Sequence, residues 1–257
     1  MSLISTSVSG EDLSPEDAPP EVVEALNRGD PAFPLPADAD NARLSPDGTA
    51  VAWTVGSSLP VNVDRRQRSL WVFGGPTEPR RRLAVLTGGD LVGWAEDGEA
   101  VVATGRVSVD GAPGIWRIPI DGSPPTQLAE AERPRAARLS PTARWLAYYL
   151  AFETEPARNG LWVVGTSGEG ARRVPSFGSY RWGADERLFF IPFDAEDRPL
   201  TLAAFDPATG TTDVVREAEA FPGRIAANDW SVSPDGRWVV YRSATDAALW
   251  IVPMSGE

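Results

Sequence analysis

Between residues 41 and 257 the chain is written in short runs of alternating apolar and polar positions, broken by turn signals at near-regular intervals. Ahead of each turn the apolar residues stand two apart: Ala42 and Leu44, Val92 and Trp94, Ala137 and Leu139, Tyr180 and Trp182, Trp230 and Val232. Side chains of a strand alternate between its faces, so this period predicts strands. The turn reads Ser-Pro-Asp-Gly at residues 45–48 and 233–236, with Ala-Glu-Asp-Gly at 95–98 and diverged copies at 140–143 and 183–186. Proline at the second place and glycine at the fourth suit a type I turn that closes a short hairpin with glycine at positive φ. An apolar run follows each turn, and it predicts the second strand of the hairpin.

Aligned on the turn, Asp47, Asp97, Thr142, Asp185 and Asp235 share one position, at intervals of 50, 45, 43 and 50 residues. A second signature keeps nearly constant phase with the first: LWVF at 70–73, IWRI at 115–118, LWVV at 161–164, LAAF at 202–205 and LWIV at 249–252. It predicts a third strand, and a glycine-rich turn leads from it into a fourth, as in residues 82–87 and 126–129. Each unit is thus a four-stranded antiparallel meander with both faces apolar, and such units bury those faces only against neighbours. Five of them predict an all-β fold, a β-propeller of five four-stranded blades. The fifth unit stops after its third strand. An open strand edge invites association, so the expected remedy is closure by an N-terminal strand drawn from residues 22–40, with residues 32–35 (AFPL) a candidate.

Ahead of the repeats, residues 1–20 are acidic and rich in Ser and Pro, which predicts a flexible tail. Residues 21–28 (EVVEALNR) have apolar positions at helical spacing, with Gly29 as a stop, and predict one short helix. Pro31, Pro34 and Pro36 then keep the chain extended. The expected organisation is a tail over 1–20, a helix and closing segment over 21–40, and the propeller over 41–257. No basic start with an apolar run resembles a secretory leader, and no stretch approaches the length of a membrane span. A soluble, cytoplasmic protein is expected, or a periplasmic or secreted one if a leader was removed.

The units resemble the PD40, or TolB-like, β-propeller repeat: an aromatic or apolar residue, Ser-Pro-Asp-Gly, an apolar strand, then Leu-Tyr/Trp-Val-Val before a turn. The resemblance covers about residues 41–257, with the turn matched in full at 45–48 and 233–236. It implies the propeller fold. Its functional implication is broad, because this repeat serves periplasmic scaffolds and the lids of prolyl-oligopeptidase-like enzymes.

Composition narrows the chemistry. The chain has no Cys and no His, and all 24 basic residues are Arg. Thiolate and imidazole metal sites, cysteine nucleophiles, Schiff-base lysines and the general base of a Ser-His-Asp triad are therefore excluded. The stretch at residues 165–170 (GTSGEG) has neither a following helix pattern nor the Gly-x-Ser-x-Gly spacing of a nucleophile elbow, and it aligns with the turn at 206–210. We expect no enzyme, no cofactor and no metal. The net charge of -12 disfavours nucleic acid and anionic membranes as partners.

Several residues remain candidates for binding. The ten Trp occupy repeat-equivalent strand positions and read as packing between blades. The close-set acids Asp38 and Asp40, Glu153 and Glu155, and Asp194, Glu196 and Asp197 lack the Asp-x-Asp-x-Asp-Gly order of a calcium loop and read as solvated. Four positions before the turn Asp, on the pleat opposite the aromatic anchors, lie Arg43, Gly93, Arg138, Arg181 and Ser231. Arg43, Arg138 and Arg181 on innermost strands would form a partial basic ring in the channel, an anion site flanked by Asn41, Ser231 and Asp229. Alternatively, each pairs with a neighbouring turn Asp. The longer, irregular loops fall on one face and bring Arg65, Arg66, Arg68, Glu153, Glu155 and Asp194 there as loop-face candidates. Arg80, Arg81 and Arg82 follow the third strand and belong at the opposite end. Two functions fit: a noncatalytic module that engages a protein, peptide or small anionic ligand, or the substrate-gating propeller of a prolyl-oligopeptidase-like serine hydrolase.

Overall fold

The computed structural model describes residues 35–36, 38–56, 65–74, 79–108, 110–192, 201–216 and 225–254. They form five antiparallel sheets. The first holds β1 (Ala39–Leu44), β2 (Val51–Gly56), β3 (Gln67–Phe73) and β4 (Arg81–Thr87); the second β5 (Leu91–Trp94), β6 (Ala100–Gly105), β7 (Gly114–Pro119) and β8 (Thr126–Glu130). The third holds β9 (Arg135–Leu139), β10 (Trp145–Leu150), β11 (Gly160–Gly165) and β12 (Arg172–Arg173); the fourth β13 (Gly178–Trp182), β14 (Leu188–Pro192), β15 (Leu202–Phe205) and β16 (Thr212–Arg216). β17 (Ile225–Val232), β18 (Trp238–Ser243) and β19 (Leu249–Pro253) make the fifth. In every sheet the strands pair in chain order, as a meander requires. Sheets one and two lie in one compact unit ending at Glu130, and sheets three to five in a second beginning at Ala131.

Five sheets of this make-up match the five predicted repeats. Among the described residues β19 pairs only with β18, so the fifth sheet has three strands. The predicted helix and all but the end of the predicted closing segment lie outside the described residues, as does Asp194.

The cores show why each sheet needs a neighbour. In β14, Leu188 and Phe190 join a cluster with Trp145, Ala147, Leu161 and Val163 of the third sheet. Phe189 and Ile191, on the opposite face, join one with Trp230, Val239, Tyr241 and Val252 of the fifth. Strand pairing sets large against small, with Phe189 opposite Ala204 and Phe190 opposite Ala203, so the sheet stays thin while both faces fill. In the first unit, Ala52, Leu70, Val72 and Leu86 pack against Leu91, Trp94, Val101 and Ile118 in the same way.

Tryptophans tie adjacent sheets by hydrogen bonds as well as by packing. Trp94 Nε1 donates to the Arg43 carbonyl at 2.9 Å in the first unit, and the repeat-equivalent Trp182 donates to the Arg138 carbonyl at 2.9 Å in the second. Trp53, Trp94, Trp145 and Trp230 are buried, in accord with the packing role. Trp238 and Trp250 are a correction to it. They stand 42% and 37% exposed on the fifth sheet.

The five turns share one backbone shape. Their fourth residue is left-handed in every copy, with φ of 72° at Gly48, 70° at Gly98, 63° at Ala143, 63° at Glu186 and 69° at Gly236. In the first turn the Ser45 hydroxyl donates to Asp47 at 2.6 Å, and Asp47 also accepts from the Thr49 N–H and hydroxyl. The fifth turn repeats this with Ser233, Asp235 and Arg237. Those hydrogen bonds, the serine's first, hold the Asp47 and Asp235 carboxyls down from 3.8 to about 2. A carboxyl whose pKa is lower in the folded chain contributes stability above its unfolded pKa and loses it as pH falls through the folded one. Melting temperature should therefore decline between pH 3.8 and about 2. A Ser45→Ala, Ser233→Ala double variant should melt lower at neutral pH yet lose less over that acid window. An unchanged acid decline in the variant would show that other groups set it.

Candidate functional site

Strand irregularities decide how the first-strand arginines are presented. Pairing skips from Asp40 to Arg43 in β1 and from Arg135 to Arg138 in β9. At these skips Asn41 and Ala136 adopt left-handed φ of 53° and 49°. A bulge leaves one residue unpaired and re-aims the chain around it. Arg43 and Arg138 both end up exposed. The Arg43 guanidinium donates to the Ala42 carbonyl at 2.9 Å, and among the described residues neither arginine forms an ion pair. β13 carries no bulge, and its Arg181 is half-buried. The guanidinium lies 5.2 Å above the Trp230 ring, and it donates to the carbonyls of Trp230 at 3.0 Å and Tyr180 at 2.7 Å.

Arg138 and Arg181 sense each other. Burial first, and then the like charge of Arg138, hold the Arg181 pKa below its ordinary value. Tyr149 and Tyr180 feel both charges. Burial pushes the Tyr149 hydroxyl up to about 12 against the pull of both arginines, and burial raises Tyr180 as well. The two rings meet edge to face at 5.2 Å, with the Tyr149 hydroxyl donating to the Gly178 carbonyl and the Tyr180 hydroxyl to those of Ala136 and Ala147. The second unit thus holds two cations and a tyrosine pair that influence one another, while Arg43 belongs to the first unit.

The turn acids of the first, fourth and fifth repeats have partners within their own turns. Asp47 is taken by Ser45 and Thr49, Asp185 by Arg187 at 2.6 Å, and Asp235 by Arg237 at 2.7 Å. The carboxylates of Asp47, Asp185 and Asp235 serve their own turns.

The other predicted site residues separate by environment. Asn41 donates from its side chain to the Leu91 carbonyl at 2.5 Å, joining β1 to β5. Asp229 pairs with Arg242 at 2.7 Å, and Ser231 is exposed on β17. Of the loop-face group, Arg65 is exposed and Arg66 half-buried. Arg68 bridges Asp40 at 2.8 Å and Asp90 at 3.3 Å, so it fastens two sheets of the first unit. Glu155 is exposed, whereas Glu153 turns inward, only 7% exposed, with Arg158 3.9 Å from its carboxylate. Arg81 pairs with Val72 and Arg68 with Leu86, which puts the two arginine groups at opposite ends of the sheet, as expected. Among the described residues no group of three or more acids is placed to hold a metal ion, and no helix is long and apolar enough to cross a membrane.

Periodicity overlooked one cluster, in the loop after β10 and beside Tyr149. Phe152 is 87% exposed at a left-handed φ of 63°, with the Arg135 guanidinium 5.9 Å from its ring. Phe177, half exposed, packs 4.9 Å from Tyr149. Phenylalanine in a loop was the available signal.

Antiparallel meanders with core on both faces define the blades of a β-propeller. No protein-family model and no curated protein matches the chain. Among solved structures it is similar to the β-propeller domain of the trilobed protease of Pyrococcus furiosus, with 12% identity and a TM-score of 0.53 over 86% of this chain and 69% of that one. It is also similar to a prolyl endopeptidase, with 15% identity and a TM-score of 0.55 over 83% of this chain and 33% of that one. TolB from Acinetobacter baumannii matches at 16% identity and a TM-score of 0.46, over 85% of this chain and 52% of that one. The chain spans about half the length of that TolB. Its structural neighbours are thus TolB-like propellers and the propeller domains of prolyl-oligopeptidase-like proteins.

Proposed function

We propose that this chain is a noncatalytic binding module that engages a protein, peptide or small anionic ligand through its first-strand arginines and its loop-rich face. The observation that carries this reading is the arrangement around Arg138. It is exposed, has no carboxylate partner among the described residues, and adds its like charge to the burial that lowers the Arg181 pKa. Two like charges held by rigid strands repel, and an anion between them removes that repulsion while gaining charge-assisted hydrogen bonds. In this reading no side chain acts as a nucleophile, since the chain offers neither His, Cys nor Lys to activate one.

Calorimetric titration with succinate and with phosphate tests it. Binding should weaken as salt rises, and Arg138→Gln, which keeps length but removes charge, should weaken it about tenfold. Equal binding by parent and variant would end the anion-site reading. A second reading, a substrate-gating propeller of a serine hydrolase, draws support from the likeness to a prolyl endopeptidase. The intact mass of the natural gene product separates the two, because an appended hydrolase domain would add to the mass of this chain.

A further inference from the structure

The loop-face cluster of the second unit supports a more specific partner. Phe152 is large, apolar and almost fully exposed, in a backbone conformation that β-carbon-bearing residues avoid. The loop that holds it there is firmly built. The Asn159 side chain accepts from the Glu153 N–H at 3.0 Å, the Glu153 carboxylate is buried facing Arg158, and Trp162 Nε1 donates to the Arg158 carbonyl at 2.8 Å. A strained residue held out into solvent by a rigid loop points to function there.

Its surroundings complete a surface. Arg135 lies over Phe152, and Arg135 pairs across the ladder with Tyr149, whose ring meets Phe177 and Tyr180. The charges of Arg138 and Arg181 act on both tyrosines. Among the described residues neither Arg135 nor Arg138 has a carboxylate within ion-pair reach. The patch therefore combines two exposed aromatic rings with positive charge that the protein does not neutralise itself. Its complement is a peptide segment that carries both carboxylates and aromatic side chains.

We infer that this patch, centred on Phe152, Phe177 and Arg135, is a docking seat for a peptide segment of that chemistry. The inference rests on the binding-module reading and names its partner. Aromatic side chains of the segment would pack on Phe152 and Phe177, and its carboxylates would meet Arg135 and Arg138.

Fluorescence anisotropy with a short labelled peptide bearing an Asp-Phe-Asp-Phe centre tests the seat on the full chain. The parent should bind it, and Phe152→Ala, Phe177→Ala and Arg135→Gln should each weaken binding about tenfold. Replacing the peptide's Asp by Asn, or its Phe by Ala, should do the same. Phe152→Gly relieves the left-handed backbone, so it should weaken binding while melting no lower than the parent. Failure of the parent to bind the peptide, or binding indifferent to these changes, would overturn the seat. If succinate binding sensitive to Arg138→Gln persists in that case, the anion site stands and only the peptide partner falls. If both probes fail, both readings fall.

Discussion

Trp230→Ala should be among the most damaging single changes in the chain, costing about 3 to 5 kcal/mol and lowering the melting temperature by roughly 10 °C. Trp230 is 4% exposed at the centre of the core between the fourth and fifth sheets. Its removal leaves a cavity among Phe189, Ile191, Tyr241 and Val252, which rigid strands cannot close. The same side chain supports function, because Arg181 lies over its ring and Nε1 donates to Ser179 Oγ at 2.7 Å. Trp230→Phe separates the two roles. It keeps a ring beneath the guanidinium and loses the hydrogen bond, at about 1 kcal/mol. Anion binding should then be nearly retained in Trp230→Phe and lost in Trp230→Ala. A Trp230→Ala variant that melts with the parent would refute the inter-sheet core.

The second large effect concerns the two diverged turns. At residues 140–143 the turn has Thr142 where other copies have Asp, and it borrows a carboxylate from the next repeat. Glu186 accepts from the Ser140 hydroxyl at 2.5 Å and from the Thr142 N–H at 3.0 Å. Glu186→Ala strands both donors, one of them on a serine only 4% exposed, and should cost about 1 to 2 kcal/mol. Thr142→Asp should restore most of that loss in the Glu186→Ala background, by rebuilding the local turn seen at Asp47 and Asp235. In the parent it should restore nothing, since it sets a second carboxylate beside Glu186. Thermal melts of the four proteins give the coupling directly. Additive effects would show that the two turns act alone.

Sequence and structure agree where local chemistry dominates. The Ser-Pro-Asp-Gly copies, the alternation within β14 and the third-strand signature each determine backbone shape within a few residues, so sheets and turns were legible. Side-chain partners were not, because they depend on sheets about fifty residues apart in the chain. Arg68 looked like a loop-face group and instead fastens Asp40 to Asp90. Glu153 looked solvated and is buried. Trp238 and Trp250 have the repeat position of buried tryptophans and are nonetheless partly exposed, which periodicity alone cannot tell. At Phe152 the sequence shows a phenylalanine in a loop but not its left-handed backbone, and the ring acquires meaning only beside Arg135.

The two-faced fourth sheet also bears on how such a chain changes over generations. Leu188 and Phe190 meet the sheet before, and Phe189 and Ile191 the sheet after, through contacts of the same kind. Tyr180 and Trp230 fill the same repeat position in those two interfaces. A duplicated or deleted repeat then brings together faces that already fit, so copy number can drift by whole units at modest cost. Glu186 works against that freedom. By lending its carboxylate to the preceding turn, it has made the third and fourth copies inherit as a pair.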